Sequence, residues 1–98
     1  MLHRFVRMSF KQECVEEFQN MFLEIRETIE SFEGCQSVEL LQDATIQCQF
    51  MTFSIWENEK ALEAYRQSDF FQTTWKKTKL MFNDKPKAFS MYKTGIKE

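Results

Sequence analysis

The sequence predicts an α+β fold in which an antiparallel sheet carries helices on one face. Strand-like and helix-like apolar spacings follow one another in the order strand, helix, strand, strand, helix pair, strand. That order is the split β-α-β arrangement of ferredoxin-like domains. A chain of 98 residues has room for a single two-layer core, so we expect one domain over residues 1–98.

The third predicted strand is apolar on both sides, which supports the same fold and also indicates a binding partner for one side of the sheet. Its two faces carry Phe50, Thr52, Ser54 and Trp56 on one side and Met51, Phe53 and Ile55 on the other. A chain this short has helices for one face only, so the second face needs cover from another copy or a ligand. Because contiguous apolar faces usually mark interfaces, we expect a homodimer.

The first two elements are a strand at residues 2–10 and a helix at residues 11–31. Alternation predicts a strand whose apolar face carries Leu2, Val6, Met8 and Phe10, with Arg4 as the exception. The other face carries His3, Phe5, Arg7 and Ser9. The helix has an apolar stripe at spacings of three and four, made of Val15, Phe18, Phe22, Ile25, Ile29 and Phe32. Gly34 is expected to stop it.

A hairpin and a helix pair follow. Residues 35–43 alternate, and a polar turn at residues 42–45 precedes a strand that we expect to begin near Ile46. Asn58 is a predicted N-cap, and the inner edge of its helix comprises Ala61, Leu62 and Tyr65. Asp69 with Gln72 resembles a capping box.

The second helix of the pair is expected to point Phe71, Trp75, Thr78 and Phe82 inward. Residues 83–86 should close it, because Pro86 disfavours helix continuation. The last strand is predicted at residues 88–94, with residues 95–98 as a loose end.

Charge and composition exclude several function classes. A net charge of −2 gives no electrostatic basis for binding nucleic acid, and we interpret Lys76, Lys77 and Lys79 as a solvated helix face. Apolar runs are far shorter than the roughly 20 residues of a membrane span, and the N-terminus carries charge where a signal peptide is apolar. We therefore expect a cytoplasmic protein without membrane contact.

The cysteines, the single histidine and the glycines form no sequence pattern typical of a cofactor-binding or metal-binding site. Three cysteines at wide spacing lack a C-x-x-C pair, so we expect reduced thiols, with Cys48 in the core. His3 is the single histidine, and no sequence feature places it beside a cysteine. The two glycines, Gly34 and Gly95, form no phosphate loop, and no histidine-carboxylate cluster is present.

Short motifs along the chain resemble a known family, the antibiotic biosynthesis monooxygenase domains or dimeric α+β barrels. They include F-V-R-M-S-F-K in the first strand, F-E-G-C before the second, S-I-W-E-N-E-K-A-L-E-A-Y-R at the third, S-D-F-F in the helix pair and K-P-K-A-F-S near the end. The pattern W-E-x-x-x-A-L/F at Trp56 is the most telling. The resemblance implies the dimeric barrel fold, but its members carry out several reactions and some have no established activity.

Residue-by-residue comparison argues against placing this chain in either of two branches of the family. Members resembling quinol-oxidising polyketide monooxygenases have an asparagine and a tyrosine at the positions of Thr52 and Leu62, and only the tryptophan at Trp56 is kept. Members of the haem-degrading branch have a histidine and an asparagine at the positions of Trp75 and Val6. The resemblance therefore argues against haem degradation.

The resemblance also implies a cavity between helices and sheet, for which we expect the lining Trp56, Tyr65, Phe71, Trp75 and Val6. Plain core packing is the alternative for these aromatic residues. Such a cavity would favour a small apolar aromatic ligand. Two functions stay open: a monooxygenase that oxidises an aromatic or quinol with oxygen and no cofactor, and a non-catalytic dimeric ligand-binding or accessory domain.

Four further residues are weaker candidates. Tyr92 is interpreted as a half-buried strand tyrosine and His3 as a surface or edge residue. Asp43 and Glu57 would act as bases only if the fold buried them.

Overall fold

A computed structural model describes residues 1–96 and contains a four-stranded antiparallel sheet in the order β2-β3-β1-β4. The strands are β1 Leu2–Ser9, β2 Cys35–Gln42, β3 Gln49–Trp56 and β4 Lys87–Met91. The helices are α1 Val15–Glu30, α2 Glu59–Arg66 and α3 Asp69–Lys79, and a short 3-10 helix Gln12–Cys14 precedes α1. The predicted α+β class and the ferredoxin-like element order are confirmed.

The two faces of the sheet are those that alternation predicts. In β1 and β3, Arg4 lies opposite Ser54 and Val6 opposite Thr52, on the side that faces the helices. One buried cluster lies around Trp56 and Leu2 and a second around Phe10 and Phe50, so the core occupies both ends of this face. We call the opposite side of the sheet the outer face; it carries His3, Phe5, Phe53 and Phe89.

The β2–β3 loop is longer than the sequence predicts. β3 begins at Gln49 and not near Ile46, because the Asp43 carboxylate accepts hydrogen bonds from the backbone N–H groups of Thr45 at 2.7 Å and Ile46 at 2.8 Å. These bonds hold the chain in a turn, and Ile46 is 45 % exposed. Cys48 lies in the same loop and is half-buried, so its predicted core position is wrong.

The helix pair begins at Asn58 and at Ser68. Asn58 caps α2 as predicted, its side chain accepting from the N–H of Ala61 at 2.9 Å. The cap of α3 is Ser68 and not Asp69, because the Ser68 hydroxyl accepts from the N–H of Phe71 at 3.1 Å. The capping box predicted at Asp69 and Gln72 does not form, because the Gln72 amide donates to the carbonyl oxygen of Arg66 at 2.8 Å.

The end of α3 and the last strand also differ from prediction. α3 ends at Lys79, well before Pro86, and Phe82 forms an isolated bridge with Phe10 instead of a helical turn. β4 ends at Met91, and Tyr92 is 61 % exposed, so the predicted half-buried strand tyrosine is wrong. Of the predicted loose end, residues 95–96 belong to no helix or strand, and residues 97–98 lie outside the described residues.

Within residues 1–96, no helix is long and apolar enough to cross a membrane.

Candidate functional site

A cavity of about 310 Å³ lies between the helices and the sheet. Its walls come from all four strands and all three α-helices, and they are mostly apolar. The five residues predicted to line a pocket, Val6, Trp56, Tyr65, Phe71 and Trp75, all lie on this lining. So do Thr52 and Leu62. A role of the five residues in substrate binding stays a prediction.

Four aromatic rings form a continuous row along the cavity, which we call the aromatic wall. Trp56 stacks on Tyr65 with ring centroids 5.0 Å apart, and Tyr65 meets Phe71 edge to face at 5.1 Å. Phe71 then stacks on Trp75 at 5.9 Å. The row joins the end of β3 to α2 and α3, and its aromatic faces suit a flat ring as ligand.

Trp56 is the deepest ring of the aromatic wall. It is 1 % exposed, and its indole N–H donates to the Ser54 hydroxyl at 2.9 Å. Because that N–H is already satisfied, Trp56 serves core packing first and has no free donor for a ligand.

Tyr65 differs from Trp56 because its hydroxyl is free. Within residues 1–96 the Tyr65 hydroxyl makes no hydrogen bond, although the ring packs against Trp56 and Phe32. Burial raises the pKa of Tyr65 well above its usual range, and the charge that Cys35 acquires only at alkaline pH raises it further. The hydroxyl therefore stays protonated at neutral pH and is available as a hydrogen-bond donor.

Two arginines on the lining escaped the sequence-based site prediction. Arg4 of β1 is half-buried, and its guanidinium donates to the Ser90 hydroxyl at 3.1 Å. Arg66, at the end of α2, pairs with Glu63 at 3.2 Å. Burial lowers the pKa of Arg4, the positive charge of Arg66 lowers it further, and Glu63 opposes the shift. Arg4 was detectable in the sequence as the one charged residue on an apolar strand face, whereas Arg66 gave no signal.

Acidic and basic groups of the kind that usually abstract protons are absent from the cavity lining formed by residues 1–96. That lining contains no aspartate, glutamate, histidine, lysine or cysteine. Asp43 and Glu57 are exposed elsewhere. His3 lies on the outer face and is not a free surface residue: it stacks on Phe53 at 5.8 Å, and its Nδ1 atom is buried without a partner among the described residues.

No group of three or more histidine, cysteine, aspartate or glutamate side chains in the described part of the chain is arranged to hold a metal ion.

The family model for antibiotic biosynthesis monooxygenase matches residues 1–77. The chain belongs to the antibiotic biosynthesis monooxygenase family. No curated protein matches it in sequence.

Solved structures resemble the chain along nearly its whole length. A putative antibiotic biosynthesis monooxygenase from Nitrosomonas europaea has a TM-score of 0.87 at 17 % identity and covers 96 % of this chain and 99 % of its own. A putative family member from Deinococcus radiodurans has a TM-score of 0.86 at 16 % identity, covering 100 % and 96 %. A conserved protein from Methanosarcina mazei Go1 has a TM-score of 0.88 at 21 % identity, covering 96 % and 94 %. At such identities the likeness shows the fold.

Proposed function

We propose that this family member is a cofactor-independent monooxygenase that oxidises a small aromatic or quinol with molecular oxygen inside the cavity. The observation that carries the proposal is the aromatic wall along a cavity of about 310 Å³. That volume lies at the low end of the roughly 300–1,000 Å³ typical of ligand pockets. It suits a flat ring system of modest size.

The proposed reaction needs no external reductant. A phenol or quinol with hydrogen on a ring carbon ortho or para to a hydroxyl group loses the proton of that hydroxyl to water, and the anion passes one electron to oxygen. The two radicals join through a carbon–oxygen bond and take up a proton to form a hydroperoxide, which loses water to leave a quinone. The substrate supplies all the electrons that oxygen accepts, one oxygen atom enters the product, and the other leaves as water.

In this reaction the chain's residues would position the substrate and stabilise its anion. Phe71 and Trp75 would fix the plane of the ring by stacking. The Tyr65 hydroxyl, free of other partners in residues 1–96, would donate to the ionised oxygen, and the Thr52 hydroxyl lies on the same lining. An apolar enclosure would strengthen both interactions by excluding water.

A non-catalytic ligand-binding domain is the second candidate, and one observation favours it. The cavity lining within residues 1–96 carries no side chain with the usual chemistry of a general base. A substrate would then have to ionise without help from such a base, whereas a ligand that is only bound needs none. The two candidates share the cavity and differ in turnover.

Both candidates include a homodimer formed through the outer face. Three phenylalanines run across that face, with Phe5 stacked on Phe53 at 4.9 Å and on Phe89 at 5.3 Å. Phe89 and Met91 are 39 % and 56 % exposed, and β4 is an edge strand with every residue exposed. A second copy related by two-fold symmetry would cover both the apolar face and the open edge.

Oxygen uptake with a panel of naphthols, anthrones and hydroquinones tests the function. We expect uptake above buffer for at least one compound, with one oxygen molecule consumed per substrate and label from ¹⁸O₂ in both product and water. Trp75→Ala should lower the rate, while Leu23→Ala, at an exposed site on α1, should not. Binding without uptake would favour the second candidate, and absence of both would refute the two together.

A further inference from the structure

The charged side chains on the described part of the cavity lining are all positive. Arg4 and Arg66 are the charged side chains on the lining described within residues 1–96. Glu63 pairs with Arg66 from outside the lining and leaves Arg4 without a carboxylate within salt-bridge distance among the described residues. The apolar cavity described within residues 1–96 thus carries two arginines near one carboxylate, which pairs with Arg66 and acts on Arg4 only at longer range.

Arg4 lies on the helix-facing side of the sheet, between two serines of the neighbouring strands. Its register partners are Ser54 on β3 and Ser90 on β4, and the guanidinium gives one N–H to the Ser90 hydroxyl. A guanidinium has five N–H donors in a planar fork, so most of its donors remain for a ligand. The Ser54 hydroxyl accepts from Trp56 and keeps its own proton for a further bond.

We propose that the ligand of this cavity carries an anionic oxygen group, a carboxylate or an ionised phenol, and that Arg4 binds it. This inference rests on the proposed function for its cavity and narrows the ligand from apolar aromatics to aromatic anions. A half-buried cation without a paired counter-ion is less favourable than a fully solvated one, and an anion bound there reduces that cost. The guanidinium fork matches a carboxylate with two parallel hydrogen bonds.

The position of Arg4 separates this role from ordinary surface charge. Arg7 lies on the same strand, but it is exposed on the outer face and donates to Gln49 at 3.1 Å. Arg4 instead occupies an apolar face, where alternation favours a residue such as its neighbour Val6.

Calorimetric titration with matched probes tests the inference independently of turnover. The probes are a naphthalene carboxylate, its neutral carboxamide, and naphthol below and above the pKa of its hydroxyl. We expect the carboxylate to bind at least about tenfold more tightly than the carboxamide, as charged hydrogen bonds usually require. The naphthol arm shows whether an ionised phenol is preferred in the same way.

Arg4→Gln should remove the preference for the anion, and Arg26→Gln, with the same loss of charge at an exposed position on α1 outside the cavity lining, should keep it. Ser90→Ala removes the hydrogen bond of Arg4 but not its charge, so it should also keep most of the preference. If Arg4→Gln does not fold, loss of the preference on raising the salt concentration replaces it as the test.

The outcomes separate this inference from the proposed function. Equal binding of carboxylate and carboxamide, or a preference that survives both Arg4→Gln and high salt, would overturn the anion site and leave an aromatic cavity. Failure of every probe to bind, together with no oxygen uptake, would refute the cavity function and the anion site with it.

Discussion

Trp56 and Tyr65 stack with ring centroids 5.0 Å apart, which joins the end of β3 to α2 and the hydrophobic core to the cavity. From Tyr65 the aromatic wall continues to Trp75 through Phe71. Trp56 is 1 % exposed, whereas Trp75 is half-buried on the lining. The two tryptophans therefore lie at opposite ends of one aromatic row, and they differ in burial.

Replacing each tryptophan by alanine should separate stability from binding. Trp56→Ala removes a fully buried ring and should lower the free energy of unfolding by roughly 3–5 kcal/mol. Trp75→Ala removes a half-buried ring and should cost less stability, but it should weaken the binding of aromatic ligands more strongly than Trp56→Ala does. Urea denaturation gives the first quantity and calorimetry the second. If Trp75→Ala lost as much stability as Trp56→Ala and the parent protein bound no aromatic compound, the aromatic wall would be core alone.

Tyr65 predicts an alkaline loss of stability. Its folded-state pKa is raised, so the folded protein retains a proton that the unfolded chain releases above about pH 10. The contribution to stability is complete below that pH and falls as the pH rises further. Tyr65→Phe should therefore show a shallower decline of Tm than the parent once the pH rises above about 10.

A matched control for the Tyr65 experiment is Tyr92→Phe, which changes a side chain that is 61 % exposed. This variant should follow the parent. Parallel declines for the parent and Tyr65→Phe would show that burial of the Tyr65 hydroxyl does not govern the alkaline transition.

Much of the fold could be predicted because strand faces depend on a period of two. The side-chain alternation in β1 and β3 placed Val6 and Trp56 on the helix-facing side, and Asn58 identified the start of α2. The family resemblance, and not the alternation, pointed to a cavity. Together they predicted that one cavity would be lined by five residues, and all five lie on its lining: Val6, Trp56, Tyr65, Phe71 and Trp75.

Details set by competing local bonds could not be predicted with the same certainty. Ser68 and Asp69 are both good caps, and the choice depends on which side chain reaches the N–H of Phe71. The end of α3 depends on Phe82 reaching Phe10, a contact between residues far apart in sequence. Arg66 joins the cavity because α2 presents its last turn there, which a sequence alone does not reveal.

Gly34 should not tolerate a side chain. Its φ is +84°, and an added Cβ would lie 2.5 Å from the Cβ of Ala61. Its carbonyl also accepts from the N–H of Glu57 at 2.8 Å, so the strand cannot move away without losing that bond. Gly34→Ala should lower the free energy of unfolding by at least about 1–3 kcal/mol, which is the usual cost of a strained backbone alone.

Gly95→Ala provides the comparison for Gly34, because its φ is +83° but nothing lies within 4 Å of an added Cβ. It should change stability much less, because the residue lies outside helices and strands and its backbone can change conformation. Chemical denaturation of both variants checks the difference. Equal, small effects at the two glycines would mean that Ala61 and α2 shift easily.

The outer face predicts the oligomeric state and its most sensitive position. Phe53 stacks between His3 at 5.8 Å and Phe5 at 4.9 Å, near the middle of the apolar surface that we assign to the dimer. Sedimentation of the parent should give about twice the 11.9 kDa chain mass. Phe53→Asp should dissociate the dimer, because a carboxylate enclosed there without a partner costs several kcal/mol, roughly 3–5.

Leu23→Asp introduces the same charge at a residue on α1 that is 71 % exposed, and it should leave the mass of the dimer unchanged. A parent that stays monomeric at micromolar concentration would refute the dimer, and dissociation of Leu23→Asp would move the interface from the sheet to the helices.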